Sequence, residues 1–173
     1  MRARRRNTDD GRMVRLFLAE AQITFRRYLP RIVRCLYQLS QDDIWWRPNA
    51  ASNSAGNLVL HLSGNIRQWI ISGLGGAPDV RIRDEEFSER GPLSRRALVR
   101  RLEKTVQEAL RVLRRLPLDA LRREHTIQGF RVSGLAAVFH VAEHFSYHAA
   151  QIIYLTKWRR GRDLRLTRLP AAR

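Results

Sequence analysis

The chain has 173 residues, a formal net charge of +17 and a single cysteine, with hydrophobic residues at 44%. That length supports one domain with a real core, and Cys35 alone excludes an internal disulfide and fits a reducing compartment. No apolar run reaches the ~18 residues that would suggest a membrane span. The opening MRARRRNTDDGR is basic with no apolar stretch behind it, so no secretory signal is expected and the chain is read as cytoplasmic, without a membrane partner. All but two of the 33 basic residues are arginine; they cluster at both ends and between Arg95 and Arg123. Such a field attracts nucleic acid without sequence preference. It also follows from arginine-rich coding, and solvated charge is the favoured reading.

In chain order, residues 1–12 are expected to be a disordered basic N-terminus. A helical domain should occupy 13–160, and a basic C-terminal tail 161–173. Weak strand signals place the domain in the all-α class. The first helix should run from Met13 to Leu39 on Leu16, Ala19, Ile23, Ile32, Leu36 and Leu39, kinked or split at Pro30. Residues 40–52, with Trp45 and Trp46, read as a loop in which one tryptophan plugs the end of the bundle.

The second helix should start at Asn53 or Ser54, both good N-caps, and stop near Leu74 before Gly75 and Gly76. It is apolar almost all round except for one stripe: Ser54, Asn57, His61, Asn65, Gln68 and Ser72. Solvated stripes are usually charged. This one has no charged residue, so it is read as an internal polar cleft whose members need partners. Gly75 to Pro92 is a long, mixed-charge connection, of the length used for a crossover or a lid. A third helix, capped by Ser94, should run to Leu116 with Leu98, Leu102, Val106, Ala109, Leu110 and Leu113 inward. Arg122 to Val132 suggests a short hairpin about Gln128-Gly129, with His125 off any helical stripe.

The fourth helix, Ser133 to Trp158, carries His140, His144 and His148 at intervals of four, with Gln151 on the same stripe. A four-residue step drifts only about 40° around a helix, so these side chains share one face. Two histidines at i and i+4 can chelate one divalent ion, and His61 on a facing helix would complete a triad with open positions. Asn57, Asn65, Gln68 and Gln151 would supply hydrogen bonds that fix imidazole tautomers. Glu143, beside a ligand, is the candidate general base or a group that orients a histidine. His140 to His144 also spells the inverted zinc-peptidase motif H-x-x-E-H. That motif needs a further ligand downstream, and only Asp163 in the basic tail remains, so this reading is discounted.

The strings NLVLHLSGNIRQWIISGLGG and HVAEHFSYHAAQI resemble the DinB-like superfamily, which includes the YfiT-like proteins, and most of all an uncharacterised branch with the WWRP segment. The resemblance covers roughly residues 15–158. It implies a four-helix bundle of up-down-down-up topology, often dimeric, so a homodimer is expected. It also implies zinc or nickel held by His61, His144 and His148, with His140 as an additional histidine near the ligands. Many relatives read H-R-G-Q-I where this chain has His148-Ala149-Ala150-Gln151-Ile152, which leaves the ligands intact and removes the arginine. Relatives include thiol-dependent transferases and hydrolases. The expected function is therefore a metal-dependent enzyme acting on a small anionic or thiol substrate. The alternatives are a non-enzymatic arginine-rich module that binds nucleic acid and a bundle whose histidines serve only as hydrogen-bond partners in the core.

Overall fold

Phe25 of the first long helix and Phe145 of the last meet edge to face, with ring centroids 5.2 Å apart, and both are fully buried. Around this contact four long helices pack in a ring. The structure is a computed structural model and describes residues 2–91 and 93–166. The helices are α1 (Arg2–Gln38), α3 (Ala55–Ile66, continued by a π-helical turn over Arg67–Ser72), α5 (Arg95–Arg115) and α7 (Gly134–Arg160). Short helices α2 (Gln41–Trp45), α4 (Arg83–Ser88) and α6 (Leu118–Arg122) lie in the connections. A two-stranded hairpin, β1 (Glu124–Ile127) and β2 (Phe130–Ser133), precedes α7.

Each of α1 and α3 touches both α5 and α7. Direction follows from the pairs in contact. Phe25 meets Phe145 and the Cys35 thiol meets Thr156, so α1 and α7 ascend together. His61 meets His144, and Asn65 meets His140, so α3 descends against α7. Arg67 pairs with Glu108, and Leu74 shares a cavity wall with Val112, so α5 runs with α3. This is the up-down-down-up bundle, in which the parallel step from α3 to α5 requires the long connection that holds α4.

The caps follow from sequence. Ser54 accepts from the Asn57 amide while the Asn57 side chain takes the Ser54 N–H, a reciprocal cap that satisfies two orphan amides. Ser94 and Ser133 cap α5 and α7 in the same way from one side. Gln128 and Gly129 both have positive φ and close the expected hairpin, the backbone required by a two-residue turn of type I′.

Four expectations need correction. Residues 2–12 are helical, because arginine is a good helix former and extending a helix already packed adds one bond per residue. Pro30 lies inside α1 without splitting it. It is exposed, and its missing N–H frees only the carbonyl of exposed Arg26. The buried face of α1 is Leu18, Ala21, Phe25, Ile32, Cys35, Leu36 and Leu39, while Leu16, Ala19 and Ile23 are exposed. Two apolar registers overlap there, and the one containing the large Phe25 ring wins.

The fourth correction concerns the C-terminal tail. After Gly161 caps α7 in the left-handed conformation, the chain folds back over α1. Leu164 is buried in the core, and Arg34 donates to the Arg165 carbonyl at 3.3 Å. Residues 167–173 of that tail, and Met1, lie outside the described residues. Leu164→Ala is expected to cost about 2–4 kcal/mol, the range for emptying a buried leucine site, read as a lowered midpoint in urea. No helix among the described residues is long and apolar enough to cross a membrane.

Candidate metal centre

His61, His144 and His148 converge. His61 Nε2 lies 3.0 Å from His144 Nε2, and His148 Nε2 lies 3.1 Å from the same atom. The three candidate donor atoms fall within 4.8 Å of one another, a group that could hold a metal ion. The helices make this possible. One turn of α7 puts His144 and His148 side by side, and the antiparallel α3 brings His61 across from them.

Partners on the far side of two rings favour a proton on Nδ1, the shorter contact of His61 being to Glu86 although Arg81 Nη2 also lies 3.2 Å from that nitrogen. Glu86 Oε2 accepts from His61 Nδ1 at 2.9 Å, and Gln151 Oε1 accepts from His148 Nδ1 at 2.6 Å. With their protons held outward, both neutral imidazoles point an Nε2 lone pair at the centre. His144 Nδ1 is buried with no partner among the described residues. In the absence of a cation one proton on His144 Nε2 serves only one of the two facing lone pairs. A cation at the centre serves all three, so the donor set fits a divalent ion.

Glu86 was not singled out by sequence, and it organises the outer half of the site. It belongs to α4, within the long connection after α3. Arg81 grips it with two ion-paired hydrogen bonds, Nε to Oε1 at 2.7 Å and Nη2 to Oε2 at 2.8 Å. The two side chains are only 3% and 6% exposed. Arg81 Nη1 also donates to Gln68 Oε1, and Gln68 Nε2 donates to Asp79, each at 2.8 Å. A continuous chain therefore runs from Asp79 through Gln68, Arg81 and Glu86 to His61. Asn57 fastens the same segment by donating to the backbone carbonyls of Glu86 and Glu89, both at 2.9 Å. Gly64 leaves room for it. A Cβ there would overlap Glu86 Oε1 and come within 2.9 Å of Arg81 Nε.

The polar stripe of α3 is buried from Ser54 through Gln68, and its members divide the work differently from expectation. Asn57 and Gln68 do not reach the histidines; they tie down the connection. Asn65 bonds His140 at 3.3 Å, and His140 packs on Trp69 (ring centroids 4.3 Å apart) outside the three-histidine group. Gln151 does orient His148. Glu143, the expected base, is exposed and lines a groove with Phe17, Glu20 and Thr24 of α1. One residue along a helix is a 100° rotation, which carries it off the histidine face. The inverted peptidase motif therefore has no geometry here. His125 sits on β1, bonded to the Ala120 carbonyl at 2.8 Å. Two aromatic rings flank the centre: Phe87 packs 4.6 Å from the His61 ring and Tyr147 5.0 Å from that of His148.

Electrostatics keep His144 and His148 neutral. Burial depresses His144 to about 3, helped by His148, His61, His140 and Arg81. Burial also lowers His148, opposed by its bond to Gln151 and aided by His61, and lowers His140 against the pull of Glu143. Burial alone would raise Glu86; the bonds and charge from Arg81 and His61 outweigh it and hold the carboxylate below its usual range. The sign for stability follows. Unfolded histidine takes up a proton near 6.5, whereas folded His144 resists until about 3. Between those values the unfolded state binds more protons. The metal-free protein should therefore lose stability as pH falls from about 6.5 towards 3, measured as a urea midpoint lower at pH 5 than at pH 7.5.

Comparison with known proteins adds family and fold. The family model described as "Protein of unknown function (DUF1572)" matches residues 12–173. No curated protein matches the chain. Among solved structures, a DinB-like protein from Bacillus subtilis, YjoA, is similar with a TM-score of 0.63 at 18% identity, over 83% of this chain and 93% of that one. A DinB-like protein from Bacillus cereus ATCC 10987 is similar with a TM-score of 0.62 at 15% identity, over 86% of this chain and 93% of that one.

Proposed function

We propose that this chain, which belongs to the DUF1572 family of proteins of unknown function and has the DinB-like helical fold, is a divalent-metal-dependent enzyme acting on a small anionic or thiol-bearing molecule. The convergence of three Nε2 atoms, two with their Nδ1 protons held outward, is the observation that carries the reading. His61, His144 and His148 would hold the ion; imidazole donors suit late first-row divalent metals, and the resemblance to DinB-like proteins points among these to zinc or nickel. When bound, the ion supplies Lewis acidity at the open side of the site.

The protein's own groups narrow the chemistry. Three neutral imidazoles add no negative charge, and Glu86 is already spent on Arg81 and His61. The centre therefore favours an anionic ligand. Glu86 is also the wrong group for a general base, since Arg81 holds its proton affinity down, and Glu143 faces away. A thiolate brings its own nucleophile and needs no such base. These residues fit both thiol-dependent group transfer and hydrolysis, since the ion would itself lower the pKa of bound water.

The test is the visible spectrum of the cobalt-substituted protein. Addition of 2-mercaptoethanol or acetate is expected to shift its d–d bands, with the thiol acting at the lower concentration. If neither changes the spectrum, the ion is closed off and structural, and the enzyme reading is abandoned.

A further inference from the structure

Beside the histidines lies a cavity of about 710 Å³ between α7, the start of α3 and the loop that follows α2. Among the described residues its lining contains no charged side chain, although 28% of the chain is charged. Leu58 and Leu155, both buried, form its floor, and the rings of Tyr147 and Tyr154 stand along its side. The opposite wall is a loop braced by its own hydrogen bonds. Arg47 donates to the Ala50 and Ser52 carbonyls, and Asn49 Oδ1 accepts from the Ala51 amide at 3.0 Å and the Ser52 hydroxyl at 2.9 Å. A wall fixed in this way needs no ordering when a ligand arrives. The volume lies within the range of small-molecule sites, which are mostly apolar with a few polar groups.

The cavity is joined to the metal centre through shared residues. Tyr147 packs on the His148 ring, Gln151 bonds that ring while lining the cavity, and Leu58 lies one helical turn before His61. Three residues rise about 4.5 Å along a helix, so the two places adjoin.

We propose that this cavity seats an uncharged aromatic body of the substrate whose anionic or thiol head lies at the three histidines. The inference rests on the metal-centre reading and assigns the part of the substrate that reading leaves open. Tyr147 and Tyr154 offer ring faces and edges for an aromatic group, which adds specific geometry to area burial. Tyr147 and Tyr154 are more than half exposed, so what disfavours a charged body there is that the described lining offers it no counter-charge.

Two measurements test it. In the cobalt-substituted protein, 3-phenylpropionate is expected to bind at least tenfold more tightly than propionate, and Ala150→Trp, which fills the cavity from an exposed helix position, should bring that ratio near one while leaving propionate affinity and cobalt content unchanged. In the metal-free protein, the neutral 2-phenylethanol should shift the amide NMR signals of Ala51, Ala150 and Tyr154. Equal affinities for the two carboxylates, or a preference that survives Ala150→Trp, would overturn the proposal. So would unmoved amide signals with 2-phenylethanol. If cobalt fails to bind, the metal-centre reading falls on its own, and the 2-phenylethanol shifts still decide the cavity. If Ala150→Trp does not fold, the wild-type ratio and those shifts decide.

Discussion

Alanine at His61 or at His144 is expected to abolish stoichiometric metal binding, and alanine at His125 to leave it unchanged. His144 Nε2 is the atom both other donors face, at 3.0 and 3.1 Å, so without it the remaining pair loses its common centre. Losing His61 leaves only the i, i+4 pair on α7. That pair chelates weakly because it commands one side of the ion. His125 points to the Ala120 carbonyl and contributes nothing. Metal per chain, measured on protein purified without a histidine tag, gives the answer, with circular dichroism to show that helix content persists. Near wild-type metal content in the His61 variant would sink the three-histidine site.

The second large effect is expected at Arg81. Arg81→Leu leaves the Glu86 carboxylate buried without its guanidinium, and breaking a buried pair in this way costs about 3–5 kcal/mol. The double variant Arg81→Leu/Glu86→Leu removes both charges and should recover part of that loss, since apolar replacements of buried pairs are often close to neutral while Gln68 and His61 still each lose a partner. Metal affinity should behave oppositely. The double variant frees the His61 ring from its carboxylate, and loss of such a partner typically lowers affinity about 10–100-fold. Urea unfolding and metal titration on the same three proteins separate the two roles. If the double variant is no more stable than Arg81→Leu, the buried pair is not what couples α4 to α3.

Much of this architecture was legible in the chain because periodicity reports burial directly. The uncharged stripe on a greasy helix marked the inward face of α3, and the four-residue histidine spacing marked one face of α7. The serine caps gave the helix starts to within a residue. Three things escaped for physical reasons. On α1 two apolar registers compete, and only the partner helix decides between them. Arg81 and Glu86 sit among several charged residues between Asp79 and Glu89. Nothing in their order tells which two are buried, because the choice is made by hydrogen bonds to α3. Glu143 was read from adjacency to a ligand, whereas helical geometry turns neighbours away. The available hint was Gly64. A glycine one turn after His61, inside a helix that is otherwise well filled, asks what comes so close to its backbone, and the answer is the carboxylate of Glu86.

The π-helical turn at Arg67–Ser72 has a consequence for counting. There Gly73 N–H reaches back five residues to the Gln68 carbonyl, and Gly75 N–H likewise to Ile70. Such a turn holds one residue more than an α-helical turn. It breaks the phase of the helix, which is why Ser72, last in the polar stripe by arithmetic, is only half-buried and bonds the Pro78 carbonyl at 3.0 Å. The part of α3 that carries His61 faces α7, whereas past the turn Trp69 packs on His140 of α7 and also donates to Gln128 of the hairpin, and Ile127 fills the space over Gly73. Each half keeps its own angular zero. The surplus residue is the slack that lets one helix satisfy two partners whose demands no single 3.6-residue rhythm meets.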